Sequence, residues 1–200
     1  MYNILLGYNI SGGAKIGFLT VISVKSFTSK ENLRTGMFNL FKGPIDIVIG
    51  KGARIGRFNR FTCSKHVLDE RFNSRKYNPR LTLGANTLIL NEHFFDVYGE
   101  VTVGDGSWIA GHGSQFWTHG LSVMDRDIHI GNGNYIGSGV RFAPGTSLGN
   151  ENIVSLGSVV VSKLTCSSSL VSGFPAKPIR CIAEEKKLGK YRFSFEDWQN

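Results

Sequence analysis

Residues 128–161 read IHIGNGNYIGSGVRFAPGTSLGNENIVSLGSVVV, and an apolar residue followed by a small one returns in them every six positions. The pairs are Ile130-Gly131, Ile136-Gly137, Phe142-Ala143, Leu148-Gly149 and Val154-Ser155, with Val160 next. A period of six is neither the 3.6 of a helix nor the 2 of an alternating strand. It suits a short strand, a corner and another short strand. The apolar residue points inward and the small one fits the crowded corner. A second glycine three positions after the apolar residue, as at Gly133, Gly139, Gly145 and Gly157, allows positive φ where the chain bends. Three units close a triangular coil of 18 residues, which stacks Ile130 on Leu148, Ile136 on Val154 and Phe142 on Val160. Asn134 and Asn152 fall into the same register as a polar rung. Coils should lie about 4.8 Å apart, the ordinary strand spacing.

The same pattern runs through Ile10, Ile16 and Ile22, then Ile49, Ile55, Phe61 and Val67, then Leu83, Ile89, Phe95, Val103 and Ile109. The reading is all-β: a parallel β-helix over residues 1–165 and, over 166–200, a C-terminal tail with an extended stretch and a short helix that packs on the solenoid. Gly189 would stop that helix, drawn from Ile179 to Leu188. The period breaks at about 25–44, 68–80 and 117–127, and each break is expected to be a loop that leaves the coil. Loops on a rigid scaffold are natural places for substrate contacts.

Composition limits the function classes. Apolar residues are 41% and charged residues 19%, an ordinary globular balance, while 25 glycines in 200 residues fit many turns of one kind. The net charge of +8 favours anionic partners, but the basic residues are scattered, with one denser region from Lys51 to Arg80, and read as a solvated surface, with no nucleic acid expected. Cys63, Cys166 and Cys181 form no paired framework and read as reduced thiols. MYNILLGYNISGG at the start has no basic segment and no long apolar run, so the protein is expected in the cytoplasm.

Four stretches carry a resemblance: THG at 118–120, IHIGNGNYIGSGV at 128–140, PGTSLGNENIVSLGSVVVSK at 144–163 and GFPAKPIR at 173–180. Together they resemble the hexapeptide-repeat acetyltransferases, and among these the sugar O-acetyltransferases that decorate bacterial polysaccharides. The resemblance implies a left-handed β-helix, acetyl-CoA as co-substrate, a sugar or glycan acceptor and a homotrimer with the coenzyme A groove between two subunits. A lipid-linked acceptor would bring the protein to a membrane surface.

His119 follows Phe116 and Trp117 at the mouth of the irregular 117–127 segment. A sugar hydroxyl needs a base during attack on a thioester, and histidine titrates near the working pH and can return the proton to the leaving thiolate. The resemblance implies the backbone N–H of Ser138 as oxyanion donor, a role a preorganised corner amide can fill. It places the pantetheine arm along Leu156-Gly157, where the family has Ala-Gly, and the nucleotide end at Lys163, Pro175, Lys177 and Arg180. Asn91 and Glu92, one coil before His119, are candidate partners of the acceptor or of the histidine. Asp125 and Asp127 are alternative partners for His119, and Trp117 is a candidate platform for a sugar face. His66 and His129 flank inward positions and read as outward-pointing, and His93 and His112 read as surface residues, with lining of the groove as the alternative. No metal is expected, since His112 and His119 lack a third histidine at coil spacing. The alternatives are N-acetylation of an amino sugar and, in another class, a zinc-binding solenoid similar to γ-class carbonic anhydrases or a non-catalytic one.

Overall fold

The computed structural model describes residues 7–120 and 123–191. The chain winds into a parallel β-helix with three faces. On the first, strands Tyr8–Ile10, the end of Val21–Ser29, the end of Leu40–Ile49, Arg80–Leu83, Glu100–Val103, Ile128–Ile130, Ser147–Leu148 and Lys163–Leu164 stack in parallel. The second runs from Arg34–Thr35 through Arg54–Ile55, Leu88–Asn91, Trp108–His112, Tyr135–Ile136 and Ile153–Val154 to Ser169–Gly173. The third holds Arg60–Thr62, Phe94–Asp96, Gln115–Trp117, Arg141–Phe142 and Val159–Val160, below the first halves of the two long strands.

The expected rungs are present: Ile130 pairs with Leu148, Ile136 with Val154 and Phe142 with Val160. The inward residues of the third face form a column of five phenylalanines. Phe41, Phe61, Phe95, Phe116 and Phe142 are fully buried, with successive ring centroids 4.6, 4.7, 4.3 and 5.2 Å apart. Such stacks add about 0.5–1.5 kcal/mol per pair to the burial itself. The asparagine rung is real: Asn152 N–H donates to Asn134 Oδ1 at 2.8 Å. The small residue after each inward one is set by the next coil, since a Cβ on Gly149 would lie 2.2 Å from the Cys166 carbonyl oxygen. Gly157 differs: its surroundings are open and its φ of +69° is what calls for glycine.

Three expectations need correction. The segment 25–44 is not a loop, because it supplies rungs on all three faces, with Phe27, Leu33 and Phe41 buried inside. Its coil is longer than 18 residues: Ile22 pairs with Phe41 and Phe27 with Ile47. The extra length is taken up at a bulge between Val24 and Ser26 and at Gly43, whose φ is +122°. This breaks the six-residue spacing without breaking the pairing. Val67 is not an inward rung; it lies in a 3-10 turn, Lys65–Leu68. The β-helix also runs past residue 165, because Leu170 and Val171 pair with Ile153 and Val154 as a further rung of the second face. The chain then turns back antiparallel over Ala176–Cys181, so the expected helix does not start at Ile179 but spans only Ala183–Lys187, with Gly189 at φ +72° beyond it. Residues 192–200 of the expected tail and 121–122 of the expected loop lie outside the described residues.

The other two breaks are excursions. One carries the 3-10 turns Lys65–Leu68 and Glu70–Arg75, and the other follows Trp117. Both leave at the corner between the third and first faces, and Arg126 ties them together. It is buried, donates from Nη2 to the Arg75 carbonyl at 2.9 Å, and holds its guanidinium 4.6 Å from the Tyr77 ring.

Candidate active site

His119 stands at that corner, one residue past Thr118, where the third-face strand gives way to the excursion. In the coil before it Trp117 pairs with Asp96, which sets the histidine beside that carboxylate. His119 Nδ1 lies 2.7 Å from Asp96 Oδ2. The same oxygen accepts the backbone N–H of Thr118 and of His119, each at 3.1 Å. With two backbone N–H donors already on that oxygen, the 2.7 Å contact fits Nδ1–H as a third donor to it. That leaves Nε2 as the unprotonated nitrogen. The Asp96 side chain is 4% exposed and that of His119 39%, so the carboxylate is sealed and the imidazole is partly open to solvent.

Thr118 fixes the turn. Its hydroxyl donates to the Asp96 carbonyl and accepts from the N–H groups of Tyr98 and Gly99 at 2.8 and 3.0 Å. The Tyr98 ring packs on His119 with centroids 4.1 Å apart, and His66 from the first excursion meets Tyr98 in a tilted contact at 5.3 Å. Burial raises the Tyr98 pKa, so the ring wall beside the histidine is a neutral phenol. Cys63 lies close by; burial, with the Asp96 charge adding to it, raises its thiol to about 12 and makes it a poor nucleophile.

His119 lines a cleft of about 400 Å³ together with Lys42, Arg60, Phe94, Asp96 and Trp117 among others. Trp117 is 37% exposed and meets Phe94 at 4.9 Å between centroids, so it offers an open aromatic face and is not a core plug. Phe116, its neighbour, is the core residue.

The partner of His119 is therefore Asp96, which the sequence reading did not single out. Asn91 and Glu92 sit at the opposite edge of the third face. The Asn91 oxygen accepts Arg57 N–H at 3.0 Å, and Glu92 turns that corner with φ +60°. Asp125 pairs with Lys163 at 2.8 Å, and Asp127 accepts the Glu100 N–H at 2.8 Å. His93 is not on the surface but 1% exposed, because it occupies the corner column of Asn39 and Asn59. Its Nδ1 accepts the Ser114 N–H at 3.1 Å, and burial pushes its pKa down to about 4. His66, His112 and His129 are exposed as expected.

Ser138 lies at the corner between the second and third faces, where its carbonyl accepts the Gly157 N–H at 2.9 Å. One chain thus does not bring Ser138 and His119 together; a strand of the third face separates their corners. Leu156, 79% exposed, and Gly157 continue the Ser138 corner, and Phe174, 81% exposed, precedes Pro175. Lys177 is exposed. Arg180 is engaged within the chain by Glu185 and by the Tyr191 hydroxyl at 2.7 Å. Among the described residues no three His, Cys, Asp or Glu side chains come together in a metal-binding group. No helix among them is long and apolar enough to cross a membrane.

No protein-family model matches the sequence, and no curated protein matches it. Solved structures do. A variant of AntD, an N-acyltransferase from Bacillus cereus in complex with dTDP and coenzyme A, is similar with a TM-score of 0.57 at 18% identity, over 87% of this chain and 92% of that one. LpxA from Acinetobacter baumannii is similar with a TM-score of 0.52 at 14% identity, over 93% and 74%. The chain has the left-handed parallel β-helix fold. The structure of the polysialic acid O-acetyltransferase OatWY is similar over 87% of this chain and 84% of that one, with 14% identity and a TM-score of 0.47.

Proposed function

We propose that the protein is an acetyl-CoA-dependent acyltransferase that acetylates a sugar hydroxyl in a surface-glycan precursor or polysaccharide, with His119 as general base. The observation that carries this reading is the sealed Asp96 carboxylate 2.7 Å from Nδ1 of a part-exposed histidine that lines a cleft beside the Trp117 ring. As the acceptor oxygen bonds to the thioester carbon, Nε2 takes the hydroxyl proton. The C–S bond then breaks and the proton passes to the departing thiolate, giving an acetyl ester and free coenzyme A. Asp96 stabilises the imidazolium formed between the two steps.

The Ser138 N–H at the other corner is the candidate oxyanion donor. For it to serve His119, a second copy must supply it, and three copies in a closed ring give each histidine a neighbour's Ser138. The exposed Leu156 and Phe174, with Lys163, Pro175, Lys177 and Arg180, form the apolar and basic surface proposed for coenzyme A. The cytoplasm, where acetyl-CoA is made, is the proposed location. N-acetylation of an amino sugar is the second reading, favoured by the likeness to the AntD N-acyltransferase. An acceptor screen with acetyl-CoA, following thiol release and the mass and alkali lability of the product, tests both. An alkali-labile ester supports the first, an alkali-stable amide the second, and no transfer to any sugar refutes both.

A further inference from the structure

The charge of the chain is lopsided. Residues 7–62 hold nine Lys and Arg against two acidic residues, which is +7 of the formal net +8. These coils lie at the end of the β-helix away from Lys177 and Arg180, so this charge is not the surface proposed for coenzyme A.

Part of it lines a continuous groove through the histidine. The His119 cleft holds Lys42 and Arg60. Past Lys42, Cys63 and Ser64 it runs into a groove of about 830 Å³ that adds Lys25 and Lys65. On its other side it shares Arg60, Phe94 and Trp117 with a cleft of about 460 Å³. Lys25 is paired with Asp46 at 2.8 Å, but Lys42, Arg60 and Lys65 make no ion pair among the described residues. Asp96 is committed to His119, which leaves Glu92 as the one other carboxylate lining these three grooves. Arg60 also has a fixed place, with its guanidinium 5.8 Å from the Phe94 ring centroid.

Unpaired cations beside an exposed Trp117 and a half-buried Phe94 suit a sugar with an acidic group. The Trp117 ring is the kind of surface a pyranose face packs on, and the planar fork of Arg60 matches a carboxylate or phosphate. We propose that the acceptor is an anionic glycan whose modified sugar sits on this platform and whose further negative charges follow Lys42 and Lys65. This rests on the acyl-transfer reading for the identity of the reaction, and not for the binding site itself.

The test measures binding alone, with no acetyl-CoA present. Calorimetric titrations at low ionic strength compare a galacturonate hexamer, dTDP-glucose and neutral maltohexaose. At least one anionic probe is expected to bind about tenfold or more tighter than maltohexaose, since one good charged contact is worth that much. Galacturonate binding assigns the charge to a polymer carboxylate, and dTDP-glucose binding to a nucleotide phosphate. The double variant Lys42→Gln/Arg60→Gln should lose about tenfold in affinity for that probe. Arg34→Gln/Arg54→Gln, which removes the same charge from the second face, should lose none. Arg60→Lys keeps the charge without the fork and should lose part of the affinity, which guards against a double variant that fails to fold. Equal binding of maltohexaose, equal losses in the two double variants, or no binding of either anionic probe would overturn the proposal. Binding of an anionic probe together with failed acetyl transfer would sink the acyltransferase reading and leave this one standing.

Discussion

Changing Asp96 to asparagine isolates the one contact on which the reading of His119 depends. The substitution keeps the size of the side chain and one acceptor oxygen for the N–H groups of Thr118 and His119. It removes the charge that lies 2.7 Å from Nδ1. In the resting enzyme both partners are then neutral and a hydrogen bond survives. In the transition state the imidazole gains a proton, and the introduced amide cannot answer it with a charge. A hydrogen bond to a charged group is worth about 1.5–3 kcal/mol against about 1 for a neutral one. Asp96 is nearly sealed, so solvent does not make up the difference. Adding the tautomer no longer enforced by a carboxylate, kcat should fall on the order of 10²-fold. KM for acetyl-CoA should stay within about twofold, because the contact acts on the base and not on the bound thioester. Steady-state kinetics give the split, and ¹⁵N spectra of the imidazole give a signature that a merely structural role would not move. The wild type should show Nε2 unprotonated, and the variant a mixture of tautomers. A kcat within about threefold of wild type, with the tautomer unchanged, would refute the assignment of Asp96 as the positioning residue.

Further outcomes follow from packing, titration and the tail. Phe116→Ala removes the ring that joins Phe95 to Phe142 in the phenylalanine column, and should cost about 3–5 kcal/mol in urea unfolding. Since the folded His93 value of about 4 lies below the ordinary 6.5, stability is intact above about pH 6.5 and is lost as the pH falls toward 4. That loss reaches about 3 kcal/mol. His93→Asn, which repeats the residue found at positions 39 and 59 of the same column, should flatten this slope in unfolding measured at pH 7 and pH 4.5. Lys177→Ala should raise KM for acetyl-CoA several-fold with kcat unchanged, and Arg180→Ala should do less, because Glu185 and Tyr191 already occupy that guanidinium. A rise in the acceptor KM instead would move the tail to the acceptor site.

The regular coils were legible because each hexad repeats one physical demand: an apolar inward residue, then no room for a side chain beside the next coil. Ile130, Ile136 and Leu148 could be placed from spacing alone. Phe27, Leu33 and Phe41 could not. Their coil takes extra residues at Val24–Ser26 and Gly43, and a corner of variable length hides the register that backbone pairing keeps. His119 stood out as the polar residue where the repeat stops. Asp96 did not, since the position after an inward residue reads as a small or outward one. Only the pairing of Trp117 with Asp96 reveals that it turns under the histidine. The same register was the available signal: aligning Phe95 with Phe116 as successive inward residues sets FFD on QFW and brings Asp96 one coil under the approach to His119. His93 was misread for the opposite reason. A histidine flanked by Glu92 looks solvated, yet its column needs a buried polar side chain to bond the backbone of the next coil.

The central claim is that His119 takes a proton from an acceptor hydroxyl while acetyl moves from coenzyme A. Its most direct test combines ¹³C-acetyl-CoA with an acceptor found by the screen, and compares wild type with His119→Ala for label in the glycan and for acetyl-CoA affinity. The account predicts a labelled, alkali-labile ester in the wild type, and in the variant a rate lower by on the order of 10²-fold or more with acetyl-CoA affinity nearly unchanged. Label transferred by the variant at the wild-type rate would contradict it.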